Sequence, residues 1–249
     1  MLHPWDHSYW CRVHKVYHFT LQGSFLLYQQ SKRTLSGIHQ QKTGDIARTI
    51  RYIILHSDAK PKFLILDLDE TLIHSVFNGG KVDVRFSRGG DDFRFNLRPY
   101  CLEFLATMSS YYTIYVFTAG TQAYAEPIVA WLNQTRKTIH GLLHRRNCME
   151  TQNGFFIKDL RIIGNRELKD IIIVDNLVHS FGLQLRNGIP ILEFLEGTTD
   201  AEFPALQPLL IEASACEDVR EFLDQRLRLK DVLEHEESDF LSIEEIKKL

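Results

Sequence analysis

The sequence predicts an α/β fold: a parallel sheet flanked by helices, with a small β-hairpin insertion. Three apolar runs carry that prediction. Phe63-Leu-Ile-Leu66 and Ile171-Ile-Ile-Val174 show no polar alternation, the pattern of strands buried on both faces. Thr113-Ile-Tyr-Val-Phe117 is rich in β-formers. Each run hands over to a polar group: Asp67, Asp175-Asn176 and Thr118. Ligands of open α/β sheets bind beyond the carboxyl ends of the strands, so in a parallel sheet these groups converge. One such handover is also what the turn and cap chemistry of Asp and Asn would produce. Three in one chain, the first reading Asp67-x-Asp69-x-Thr71, point to a site.

The chain divides into an extension over 1–60, a domain over 61–232 and an acidic tail over 233–249. The extension is basic and His-rich. Residues 1–66 hold nine Lys/Arg and three Asp/Glu, whereas 67–249 hold 20 and 29. His3, His7, Cys11, His14 and His18 would share one helical face, a spacing that can hold a metal, although Pro4 opposes a helix there. An inert extension or a transit-like segment is the alternative. Ile46, Ile50, Ile53 and Ile54 predict a helix over 44–57, and Pro61 closes the linker into the first strand.

Within the domain, Val82, Val84 and Phe86 alternate with charges and Phe93, Phe95 and Leu97 alternate back. With Gly89-Gly90 between them they predict a hairpin over 82–97, inserted after the first strand and standing over the site. Pro99 opens a helix carrying Leu102, Leu105 and Met108. A helix follows over 122–133, kinked early by Pro127, then a second hairpin over 142–158 turning at Gln152-Asn153-Gly154. Pro190 puts the run 189–192 at a sheet edge. Helices are predicted over 201–214 and 217–230, and Ser242 to Glu245 is a capping box in the tail.

Composition bounds the function. An apolar fraction of 44% supports a real core, and a net charge of −3 gives no footprint for direct nucleic-acid binding. Four scattered cysteines without a C-x-x-C exclude a dense disulfide framework and suit a reducing compartment. No apolar run is long enough for a membrane span, and no secretory signal is expected.

Asp67-Leu-Asp-Glu-Thr-Leu72 resembles the first motif of the haloacid-dehalogenase (HAD) superfamily. Further strings follow in order: Leu97-Arg-Pro99, Phe117-Thr-Ala119, Tyr124-Ala-Glu-Pro127, Phe156-Ile-Lys-Asp-Leu160 and Ile173-Val-Asp-Asn176. Together they resemble the small RNA-polymerase-CTD-type phosphatases, the FCP/SCP branch with its FCP1 homology domain. The likeness covers about residues 61 to 230 and implies a HAD-like Rossmannoid sheet.

The resemblance also implies roles. Asp67 would attack phosphorus and form an aspartyl-phosphate, a covalent strategy that splits one hard step into two. Asp69 would act as general acid and then base, its pKa raised by a second carboxylate nearby. Asp67, Asn176 and the Asp69 backbone carbonyl would hold Mg²⁺, with Asp175 in support. Thr71 would hold the loop; Thr118, Ala119 and Lys158 would bind phosphate. Phe77, Tyr124 and Arg146 match a substrate groove for proline-containing phosphopeptides, though ordinary core packing explains the aromatics as well. Thr121 departs from the apolar residue of close relatives.

The expected function is an Mg²⁺-dependent protein serine/threonine phosphatase acting on a Ser/Thr-phosphorylated protein or peptide. It is expected in the nucleus or cytoplasm rather than in mitochondria, with oligomeric state open. The alternatives are a small-molecule phosphatase, or a catalytically silent binding protein on the same fold.

Overall fold

The computed structural model describes residues 60–77, 79–150, 154–195 and 199–227. The His/Cys face of residues 3–18, the helix expected over 44–57, the turn residues Gln152 and Asn153, and the acidic tail with its capping box lie outside the described residues.

In chain order the elements are β1 (Phe63–Leu66), β2 (Ile73–Ser75), β3 (Val84–Arg88), β4 (Asp91–Leu97), α1 (Cys101–Met108), β5 (Thr113–Phe117), α2 (Gln122–Leu132) and β6 (Ile139–Leu143). Then come β7 (Met149–Glu150), β8 (Phe156–Ile157), β9 (Ile171–Asp175), β10 (Gly188–Pro190), α3 (Glu202–Ser214) and α4 (Val219–Leu227). The main sheet has the order β10-β9-β1-β5-β6, and every pairing in it is parallel. β1 lies at the centre with all four side chains buried, as its continuous apolar run requires. β10, carrying Pro190, pairs with β9 alone and forms an edge, where the missing N–H costs no ladder bond.

The helices bury the stripes that their period sets out. α2 encloses Ala125, Ile128, Val129 and Leu132. α1 and α3 meet through Phe104 stacked on Phe203, ring centroids 4.2 Å apart.

The insertion is a three-stranded antiparallel sheet, β2-β4-β3. Its hairpin turns where expected, with Gly89 and Gly90 at φ 65° and 92°, backbone that glycine adopts without steric cost. β2 is an addition to the expected hairpin. It is three residues long, too short to show a period. The second hairpin is smaller than predicted. Residues 139–143 form the outer parallel strand β6, and only β7 and β8 pair antiparallel. His140 and Gly141 blur the apolar signal of that edge strand. α1 begins at Cys101, after Tyr100 in a left-handed conformation, so Pro99 precedes the helix rather than opening it.

Candidate active site

The sheet register builds the site. Leu66 is level with Val116 on one side and with Val174 on the other. The ladder extends one step further, Asp67 N–H donating to Val174 O at 3.0 Å. Asp67 therefore stands beside Asp175, the last residue of β9, at the carboxyl edge of the sheet. Thr118 follows β5 on the other flank, its N–H bonded to Leu143 O of β6 at 3.0 Å.

Lys158 lies between the two carboxylates. Its Nζ donates to Asp67 Oδ1 and to Asp175 Oδ2, both at 2.6 Å, and the residue is 1% exposed. The segment after β8 carries it, fixed by Lys158 N–H on Ser180 O at 2.6 Å. Asp175 is saturated: its other oxygen accepts the Leu177 N–H at 2.8 Å. Asp67 commits one oxygen to Lys158.

One cation thus faces two buried carboxylates. Burial pushes Asp67 up to about 7; Lys158 pulls the other way, and Asp175 adds to the rise. Asp175 is raised as well, again first by burial. Burial alone would lower Lys158, but the two carboxylates outweigh it, and its ammonium is held well above the usual lysine range. With both carboxylates ionised, the local charge is one negative in excess.

Asp69 projects from the turn after β1. Burial raises its carboxyl to about 6, against the hydrogen bond it receives from the Tyr124 phenol; Asp67 raises it further, while Lys158 and the Thr118 hydroxyl pull it down. A carboxyl in that range carries a proton for part of the time near neutral pH, as a general acid needs. The turn is tight: Glu70 sits at φ 57° and its N–H reaches Ile73 O at 2.7 Å. Left-handed backbone costs a residue with a Cβ about 1–2 kcal/mol. Arg98, fully buried, donates to Thr71 O at 3.1 Å.

The Thr71 hydroxyl reaches Asn176 Oδ1 at 3.4 Å, across to β9 rather than within its own loop, so it orients the amide. On the other flank, the Gly120 N–H donates to Thr118 Oγ1 at 2.9 Å, shaping the Thr118-Ala119-Gly120 turn. Arg145 Nε donates to Ala119 O at 2.7 Å, with its guanidinium 5.0 Å from the Phe156 ring centroid. Arg146, matched to the groove in the sequence, is exposed, as is Arg145, and neither lines the cleft beside the site.

That cleft, about 480 Å³, runs between the insertion and the first turn of α2. Phe77, Phe93, Phe95 and Tyr124 line it, with Asp91 and Asp92 among its polar residues. Phe77 is 83% exposed, so its sequence-level alternative, core packing, does not apply. Thr121 also lines the cleft and caps α2, its hydroxyl accepting the Tyr124 N–H at 3.4 Å.

The donor set suits a hard divalent cation. Asp67, Asn176 and the backbone after Asp67 offer oxygen only, the ligand type that Mg²⁺ prefers. The excess negative charge around Lys158 is what such an ion would neutralise. Among the described residues no three His, Cys, Asp or Glu side chains gather as a separate metal cluster.

A family model described as NLI interacting factor-like phosphatase matches residues 62–220. The probable C-terminal domain small phosphatase of Dictyostelium discoideum is 36% identical over 190 residues, 74% of this chain and 60% of that protein. Phosphatase PSR1 of Saccharomyces cerevisiae is 39% identical over 158 residues, 61% of this chain and 36% of that protein. The chain therefore spans less than two thirds of the length of either relative. Among solved structures, fission yeast RNA polymerase II CTD phosphatase Fcp1 bound to beryllium fluoride aligns with a TM-score of 0.45. The identity is 18%, covering 71% of this chain and 57% of that chain.

Proposed function

The chain belongs to the NLI interacting factor-like phosphatase family, and from that premise we propose that it is an Mg²⁺-dependent protein serine/threonine phosphatase working through an aspartyl-phosphate. The observation that carries this reading is Lys158 held at 2.6 Å from both Asp67 and Asp175, with Asp69 two residues further on. A nucleophilic carboxylate, a fixed cation and a second carboxyl of raised pKa then meet at one sheet edge.

Asp67 uses the oxygen that Lys158 does not hold to attack phosphorus, and the bond from phosphorus to the leaving oxygen breaks. Asp69 gives its proton to that oxygen. Water then attacks the phosphorus of the aspartyl-phosphate and passes a proton to Asp69, and phosphate leaves with Asp67 regenerated. Lys158, Thr118 and the backbone N–H groups near Ala119 hold the phosphoryl oxygens. Asp175 keeps Lys158 in place. Asp67, Asn176 and the Asp69 carbonyl would hold Mg²⁺, whose charge would let a carboxylate approach a dianion.

The cleft supports a polypeptide substrate. Its aromatic walls, Phe77 and Tyr124 among them, suit an extended proline-containing phosphopeptide of the CTD type. Thr121, Asp91 and Asp92 make parts of it polar, which favours segments carrying a hydroxyl or a basic side chain near the phosphate. The open cleft argues against a small-molecule phosphatase, and the gathered Asp67, Asp69 and Lys158 against a silent binding protein. No helix of the described residues is long and apolar enough to cross a membrane, and we assign the chain to the nucleus or cytoplasm.

Hydrolysis of para-nitrophenyl phosphate and of a phosphoserine peptide, with Mg²⁺ and with chelator, tests this proposal. Wild type should turn over both only with Mg²⁺, and Asp67→Asn neither. Folded wild type that hydrolyses nothing would sink the enzyme reading.

A further inference from the structure

Tyr124 meets two groups at once, from different parts of the fold. Its phenol donates to Asp69 Oδ1. The Ser75 hydroxyl, at the end of β2, lies 2.5 Å from the same phenol oxygen. The ring reaches that position because Gly120 makes room for it. A Cβ built on Gly120 would stand 2.9 Å from Tyr124 Cδ1 and 3.2 Å from Thr118 Oγ1. The Thr121 cap fixes the first turn of α2, from which Tyr124 extends. Insertion, helix and the turn after β5 thus converge on one carboxyl group.

We propose that Ser75, Tyr124 and Gly120 form a positioning relay that holds the Asp69 carboxyl in one orientation, occupying one oxygen and leaving the other to carry the transferred proton. The proposal rests on reading Asp69 as the general acid. With the phenol proton given to Asp69 Oδ1, the Ser75 hydroxyl is left to donate to the phenol oxygen. A proton on Asp69 therefore sits on Oδ2, and the Thr118 hydroxyl is a second partner of the carboxyl. In the first half-reaction that proton passes to the leaving oxygen as Asp67 bonds to phosphorus and the old phosphorus–oxygen bond breaks. Without the phenol, only the Thr118 hydroxyl holds the carboxyl and the proton samples both oxygens, so the productive arrangement is met less often. The cleft wall and the acid are then the same side chain.

The dependence on leaving group separates this role from mere packing. A leaving oxygen of low basicity departs without a proton, and one of high basicity needs it. The test measures kcat/KM, which reports formation of the phosphoenzyme, for small aryl phosphates from para-nitrophenyl to phenyl and para-methoxyphenyl. These substrates do not fill the cleft. Tyr124→Phe should lose about tenfold or more on the most basic leaving group and less than about threefold on para-nitrophenol. Its plot against leaving-group basicity should be steeper than that of wild type. Ser75→Ala should steepen the plot less, and Gly120→Ala should steepen it by displacing the ring, on top of a uniform loss from crowding Thr118. Plots parallel to wild type in both Tyr124→Phe and Ser75→Ala would overturn the relay and leave Tyr124 a wall. Wild type that hydrolyses no member of the series would instead overturn the phosphatase reading beneath it. Ser75→Ala removes one hydroxyl, so it keeps the test decisive if Tyr124→Phe melts early.

Discussion

Lys158 and Arg98 are the most deeply buried cations among the described residues, each 1% exposed, and they are satisfied differently. Arg98 faces one carboxylate. Its Nε lies 3.0 Å from both oxygens of Asp200, and its Nη2 lies 2.7 Å from one of them. Its remaining donors go to carbonyls, Thr71 O at 3.1 Å and Leu192 O at 2.5 Å, and the rings of Phe194 and Phe203 flank it. Charge and donors balance, which is how a buried ion pair offsets its desolvation cost. Lys158 faces two carboxylates at equal distance, and the surplus negative charge has no partner among the described side chains. A balanced pair is a structural fastener. An unbalanced one, at the open edge of a sheet, is set for a ligand that carries positive charge or brings it along.

The widest separation between the two constellations should appear in turnover. Asp67→Asn is expected to lower phosphatase activity on the order of 10⁴-fold, as assayed with para-nitrophenyl phosphate, while circular dichroism shows a folded chain. Arg98→Met should behave in the opposite way. It strands Asp200 in the interior and should cost about 3–5 kcal/mol of stability, read by chemical denaturation. Its activity per folded molecule, with saturating Mg²⁺ in the cold, should stay within about threefold of wild type. A folded but inactive Arg98→Met would break the distinction and make Arg98 part of the site.

The surplus charge also has a sign in pH. In metal-free protein burial raises the Asp67 carboxyl from 3.8 to about 7. Between those values the folded chain binds the extra proton, so stability falls as pH rises through the window. Thermal melts of metal-free wild type should decline from the acid end of that window toward pH 7, and Asp67→Asn should flatten the slope. Mg²⁺ should restore what is lost: at roughly a hundred times its dissociation constant a folded-state ligand adds about 2.7 kcal/mol. Arg98 and Asp200, already balanced, should show no response of their own to the ion, so Asp67→Asn should abolish most of the Mg²⁺-induced rise in Tm.

The smallest expected effect concerns the core behind the site. Burial pushes the Cys101 thiol up to about 12 and that of Cys148 to about 11. Both remain thiols at pH 8, and the thiolate is the reactive form. Iodoacetamide at pH 8 should label neither in the folded chain and both after denaturation, with mass spectrometry as the readout. Rapid labelling of Cys101 in the native protein would mean that the core around the start of α1 opens.

The central sheet was legible because its inner strands are buried on both faces. Phe63–Leu66 and Ile171–Asp175 show this without any period to count. Their C-terminal ends were legible for the same reason, since a carboxylate closing such a run stands out. What sequence could not show was long-range. Ser75 lies 49 residues from Tyr124, and Tyr124 lies 55 from Asp69, so nothing local announces their hydrogen bonds. Arg98 belonged to a matched string, but an arginine buried against Asp200, 102 residues away, gives no signal in the chain. The hairpin expected over 142–158 takes in only the end of β6, because an edge strand holding a histidine and a glycine is only partly buried. Thr121, which departs from the apolar residue of close relatives, also caps α2.

The most direct test of the account is the mass of the Asp67-containing peptide from Asp69→Asn protein quenched in acid after mixing with para-nitrophenyl phosphate and Mg²⁺. That leaving group needs no proton, so attack should proceed while hydrolysis of the intermediate stalls. The account predicts one added phosphoryl group on Asp67, absent when Asp67 is also changed to Asn. Release of para-nitrophenol with no phosphoryl group on Asp67, or with one on another side chain, would contradict it.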